Sequence, residues 1–275
     1  MKIHEYGSEI AGEPSAEDWA FISPQEYFDW HKDLGVNIMF CQAFNFGGYA
    51  YYPTKFGPIA PGPERDLLPQ LFKLSRKAHM PFHSYFCVGT DLTVSNMRDS
   101  WVVPTSKNEY GHWGYLEPET PWTDLLCARV AEFLRQYPVE WIMFDWFSYG
   151  NIEAHGLPVQ PAWFVKGPFK EIIGRDMPDE AAKITLKESL EYKREILARQ
   201  FYRIRETVHK ASRETKIYFN VPFRISGLPE ESDRQSLPER RRRQGLSLPR
   251  LLEQSTTTCF GPEMSRASFG RNRRE

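Results

Sequence analysis

The sequence predicts an α/β protein of the (β/α)8, or TIM-type, barrel class, incomplete toward its C-terminus, with about five βα units visible. Three observations predict it. Short apolar runs that read as strands alternate with segments of helical period, the signature of a parallel sheet with crossover helices. The loops after strands are long and those after helices short, which favours a barrel with its working residues on one face over an open sheet. The third is a single run, Glu140-Trp-Ile-Met-Phe-Asp145 followed by Trp146 and Phe147, which reads as a buried strand ending in a carboxylate. In such barrels the chemistry sits where strands end; an aspartate there also suits a turn or a helix cap.

The elements follow in order. Lys2-Ile-His-Glu5 is the candidate first strand. Ser23-Pro24-Gln25-Glu26 opens a helix with a capping box and a proline at its first position, and Gly35 ends it. Val36 to Gln42 is a strand, and a Gly/Pro/Tyr loop runs from Asn45 to Pro63. Leu67, Leu68, Leu71, Phe72 and Leu74 give a helical period, and Pro81 to Cys87 gives a strand. A second long loop extends from Gly89 to about Thr120, and Leu125, Leu126, Val130, Phe133 and Leu134 mark the next helix. The Asp145 strand comes next, then an irregular segment from Ser148 to Asp179. Leu186, Leu190, Leu197, Phe201, Ile204 and Val208 line one face of a long helix, and Lys216 to Val221 is the last clear strand.

Residues 1–225 are therefore read as the barrel unit and residues 226–275 as a separate, Arg-rich tail of low order. A barrel takes ~250 residues and eight strands, yet the pattern stops after Phe223. From Ser226 to Glu275 there are ten Arg, no Lys, two Phe and neither Trp nor Tyr, whereas residues 1–225 carry thirteen Lys and twelve Arg. The run Glu239-Arg-Arg-Arg-Arg-Gln244 suits a solvated basic tail. So abrupt a switch, where a sixth unit is due, is the mark expected of a shifted reading frame or a truncated gene.

Composition bounds the partners. Of 275 residues 41% are hydrophobic and 26% charged, enough for a core. A net charge of −1 gives no footing for nucleic acid or an anionic membrane, and no phosphate-cradling glycine motif occurs. No apolar run approaches the ~20 residues that span a bilayer. The N-terminus has no apolar signal region. Cys41, Cys87, Cys127 and Cys259 show no CxxC spacing, and the first two fall in strands as small buried residues, so the expected setting is cytoplasmic. Aromatics at 15% suit sugar-binding clefts, as they do large cores.

A resemblance adds to this. Gly48-Tyr-Ala-Tyr-Tyr-Pro-Thr-Lys55, then Pro58, then Arg65-Asp66-Leu67-Leu68, resembles the hypothetical glycosyl hydrolase family 6 group, barrel proteins related to α-L-fucosidase-type glycosidases. The likeness runs from about Phe21 to Val221 and takes in Phe169 to Pro178, Tyr192 to Glu195, Arg203 to Arg205 and the strand ending in Asn220. It implies hydrolysis of an O-glycosidic bond in a carbohydrate substrate, without a cofactor, and with the nucleophile an Asp at the end of the fourth strand. Counting Lys2–Glu5 as the first strand, that residue is Asp145.

Glycoside hydrolysis uses two carboxyl groups flanking the scissile bond. Asp145 is assigned as nucleophile, or as the charge that stabilises an oxocarbenium-like transition state, with Phe144, Trp146 and Phe147 lowering the local dielectric. Glu153, in the loop that follows, is the first candidate for acid/base, ahead of Glu117 and Glu119, each of which also suits a solvated loop charge. His83 and Tyr85 alternate on one strand and so share a face, where they can meet sugar hydroxyls; His83 equally suits a satisfied interior histidine. Asn45 and Asn220 at strand ends, Tyr52 in the first long loop and Trp146 complete the candidate substrate contacts; Tyr51, Trp101, Trp113 and Trp122 are further rings able to stack on a sugar. Two other classes remain: a non-catalytic carbohydrate-binding or degenerate barrel, and a metal-dependent barrel hydrolase. None of the seven His form HxH, and the one HxxxH spacing, His79 to His83, spans Pro81 at the start of a strand rather than one face of a helix, so no metal site is assigned. The sequence carries no mark of oligomeric state.

Overall fold

A computed structural model describes residues 23–60, 67–104, 114–150 and 157–220. The proposed first strand at Lys2–Glu5 and the tail at 226–275 lie outside these residues. The chain enters through α1 (Pro24–Asp33), whose N-cap Ser23 accepts a hydrogen bond from the Glu26 amide; Gly35 follows with φ 75°. The elements that follow are β1 (Met39–Phe44), α2 (Leu67–Lys77), β2 (Phe82–Cys87), α3 (Leu92–Met97), α4 (Trp122–Gln136), β3 (Trp141–Asp145), α5 (Trp163–Ile173), α6 (Leu186–Ala211) and β4 (Lys216–Phe219).

The four strands form one parallel sheet in the order β1-β2-β3-β4. An order that never reverses, with the right-handed crossovers that parallel strands almost always take, lays successive helices on one face, as in one arc of a barrel rather than a doubly wound sheet. The four described strands do not close a barrel.

Register decides which side chains meet the helices. Phe44, Phe86, Phe144 and Phe219 stand in one row across the sheet, one from each strand. Their ring centroids lie 5.9, 6.0 and 5.2 Å apart along the row, and all four are buried. Offset aromatic pairs at such separations add to the gain from burial. A β-bulge between Gln42 and Phe44 brings β1 into this row. Because side chains alternate along a strand, residues next to the row point to the opposite face. That face carries Gln42, Tyr85, Met143 and Tyr218 in one row, then Cys87 and Asp145 at its C-terminal edge.

Two helices lie where the sequence reads as loop. Asp91 caps α3 by accepting from the Val94 amide (2.8 Å) and the Thr93 hydroxyl (2.7 Å). Helix α5 carries Gly167 and Pro168 inside it, a pair that hides helical character from a reading of periodicity. Helix α6 begins with a full capping box, Thr185 with Glu188, and buries Tyr192, Ile196, Leu197, Phe201, Ile204 and Val208. Leu186, predicted for that face, is exposed in the first turn.

The long loops are pinned by one buried ion pair. Arg129 of α4 donates to Asp91 Oδ2 (2.6 Å) and to the Phe56 carbonyl (2.9 Å), with its guanidinium 4.1 Å from the Phe44 ring centroid. The loop after β1, the cap of α3 and the body of α4 thus meet at one cation. Gly48, at φ +86°, passes so close that a Cβ there would lie 2.3 Å from Asp91 Oδ1. No helix among the described residues is long and apolar enough to cross a membrane.

Candidate active site

Asp145 is the last residue of β3 and follows Phe144, so the phenylalanine row turns its carboxylate to the opposite face. Two donors converge on Oδ1: the Trp146 amide at 2.7 Å and Asn220 Nδ2 at 2.8 Å. The Tyr85 side chain also hydrogen-bonds to this carboxyl group. Burial pushes the Asp145 carboxyl above the ordinary aspartate range, and these three bonds work against that rise.

The turn after Asp145 is strained. Trp146 has φ 56°, a left-handed conformation that costs a bulky residue on the order of 1–3 kcal/mol. Its ring packs against Phe46 (centroids 5.7 Å apart) and Tyr115 (6.1 Å). Its carbonyl fills the space beside Gly89, where a Cβ would lie 2.2 Å away. An apolar wall of Phe46, Tyr85, Cys87 and Leu92, with Trp146 and Met143 packed against it, therefore flanks the carboxylate.

The other predicted residues are placed as follows. Tyr85 and Asn220 are brought to Asp145. His83 lies on the same face with its ring nitrogens against the Tyr218 hydroxyl (Nδ1 at 3.0 Å), and burial lowers its pKa to about 4, so the ring is neutral at pH 7. Asn45 is buried and spends its amide on its own loop: Nδ2 donates to the Tyr51 hydroxyl (3.1 Å), and Oδ1 accepts from the Tyr49 amide (3.0 Å). Tyr52 is placed elsewhere. It is fully buried among Phe44, Phe133 and Tyr137, between sheet and helices, because the loop after β1 folds over the helical side. Trp122 is likewise core, its Nε1 donating to the Val88 carbonyl at 2.8 Å. Glu153 and Trp113 lie outside the described residues.

Glu117 differs from the solvated loop charge its surroundings in the sequence suggest. It is fully buried, with Tyr192 donating to Oε1 at 3.2 Å and the Tyr149 side chain beside it. Burial raises its pKa to about 8. Tyr115, which the sequence did not single out, lies close enough to feel the Asp145 charge; burial pushes its hydroxyl up to about 12. Its place inside the second long loop is the one sequence signal that could have found it. No group of three or more His, Cys, Asp or Glu able to hold a metal gathers among the described residues.

No protein-family model matches the chain, and no curated protein sequence matches it. Solved structures do. The chain superposes on α-L-fucosidase isoenzyme 2 from Paenibacillus thiaminolyticus with a TM-score of 0.57 at 18% identity, over 73% of this chain and 29% of that one. An α-L-fucosidase of family GH29 from Bacteroides thetaiotaomicron gives 0.43 at 14% identity, over 78% of this chain and 39% of that one. A hypothetical protein from Ruminiclostridium thermocellum gives 0.48 at 13%, over 74% and 94%. The fold assignment rests on the first: the described α/β architecture shares its fold with part of that fucosidase. The chain spans less than a third of that fucosidase.

Proposed function

We propose that the protein is a glycoside hydrolase-like barrel in which Asp145 attacks, or electrostatically stabilises, the anomeric carbon of a carbohydrate substrate. One observation carries this reading. A carboxylate stands at the C-terminal end of a parallel strand on the face opposite the helices, held by three hydrogen bonds and flanked by an apolar wall. A carboxylate so fixed loses little reorganisation energy when positive charge develops beside it. The fold shared with the Paenibacillus fucosidase supports the class, and the sequence string from Gly48 to Leu68 supports the kinship with the hypothetical glycosyl hydrolase family 6 group.

In this reading Trp146, Tyr85 and His83 line the approach to the sugar, and Asn220 stands beside the reacting carboxylate. Glu153 stays the proposed acid/base on sequence position. Glu117 is uncharged at neutral pH, as a general acid must be, but its hydrogen bonds run to Tyr192 of the helical layer. Asp145→Asn keeps the size of the side chain and removes the charge. Its expected effect is loss of any hydrolysis of aryl glycosides with an unchanged circular dichroism spectrum. Undiminished turnover by this variant would exclude the proposed role. Binding of sugar without turnover by the unaltered chain would favour the non-catalytic carbohydrate-binding reading instead.

A further inference from the structure

We infer that Asn220 is a positioning residue, holding the Asp145 carboxylate in one rotamer from the neighbouring strand. This rests on the reading of Asp145 given above and goes beyond it, since the sequence pointed to Asn220 as a contact for the substrate.

Three hydrogen bonds carry the inference. The Asn220 amide donates to the Phe144 carbonyl at 2.8 Å, its own carbonyl accepts from the Phe147 amide at 3.4 Å, and its side chain donates to Asp145 Oδ1 at 2.8 Å. One residue thus brackets the turn before, at and after Asp145. The register explains why the position is available. Phe219 pairs with Phe144, so the next residue of the chain stands beside Asp145 across a strand spacing of ~4.8 Å, which an asparagine side chain can bridge. An ionised carboxylate only accepts, so the amide nitrogen rather than the oxygen must face it. The Trp146 amide reaches the same oxygen from the other side, through a left-handed turn. The carboxylate is therefore clamped between its own strand and the next, and Tyr85 of β2 adds a third element. Hydrogen bonds to a charged acceptor are the strong ones, so removing this donor both frees the rotamer and favours the protonated acid.

The test reads Asp145 directly. In the full 275-residue chain, labelled with 13C at aspartate, the side-chain carboxyl is titrated by NMR, its signal assigned from its absence in Asp145→Asn. Asn220→Ala is expected to move the Asp145 midpoint upward. Asn220→Asp, which sets a second carboxylate against the first, is expected to move it further. If a glycoside is turned over, Asn220→Ala is expected to lower kcat about tenfold or more with KM little changed, and the acid limb of the pH profile is expected to shift upward with the NMR midpoint. An unmoved midpoint in a folded Asn220→Ala variant overturns the inference, whether or not the chain hydrolyses anything. Should Asn220→Ala fail to fold, the near-isosteric Asn220→Asp decides: a midpoint no higher than in the unaltered chain overturns the inference. A hydrolytically active Asp145→Asn variant would instead remove the proposed nucleophile and leave the titration result standing.

Discussion

Glu117 shows at the scale of one residue what local sequence hides. Its neighbours Pro118, Glu119, Thr120 and Pro121 read as a solvated loop, yet Tyr192 lies 75 residues away and closes over it. Nothing short of the tertiary packing of α6 places that hydroxyl there. Asp145, by contrast, was legible because an apolar run of strand length ends on it, and no distant residue is needed to see that. The buried Glu117 carboxyl has a measurable consequence. Its folded pKa of about 8 lies above the ordinary value of 4.5 through burial, so the folded state keeps a proton the unfolded chain releases. The stability this contributes is fully present below about pH 4.5 and is lost as pH rises toward about 8. Glu117→Gln, which cannot ionise, is expected to flatten that decline. Urea unfolding of the two proteins across this window checks it; parallel pH profiles would show that the decline has another source.

Among elements, those with regular periods were readable and those with interrupted ones were not. Helices α4 and α6 repeat apolar residues every three or four positions and pack against each other. Helix α3 has six residues, too few for a period, and owes its start to Asp91. Helix α5 is broken in pattern by Gly167-Pro168 and survives because Phe164, Val165, Phe169 and Ile172 are buried. The ion pair between Arg129 and Asp91 was invisible in the sequence, since its partners are 38 residues apart. It ties elements rather than residues: α4, the cap of α3 and the loop after β1. Both side chains are almost wholly out of solvent, at 3% and 2% exposure, so truncating one strands the other's charge. Arg129→Ala is expected to cost about 3–5 kcal/mol, seen as a lower urea midpoint with the slope preserved. A cost below about 1 kcal/mol would mean that water reaches Asp91 when the arginine is gone.

For the molecule as a whole, the parallel sheet and its sequential order are legible because strands and helices alternate; the expected barrel, incomplete and with about five units, stays a proposal, since the described residues show four parallel strands and no closure. The change of composition after Ser226 belongs at this scale too: ten Arg against no Lys, with two Phe as the only aromatics. We propose that a shifted reading frame explains it. Sequencing the coding DNA across codons 215–275 is expected to show βα-type sequence resuming in another frame, and its absence from both alternative frames would end that explanation. The phenylalanine row has a consequence of its own. Phe144 and Asp145 are consecutive, so the side chain that locks β3 into the core and the one proposed to do chemistry are set by a single choice of alignment. Sliding β3 by one position would bury a carboxylate among phenyl rings and turn a phenyl ring to the other face, a double penalty. Errors in placing this strand are therefore suppressed by the same contacts that hold the protein together, and the aim of the carboxylate is proofread by folding itself.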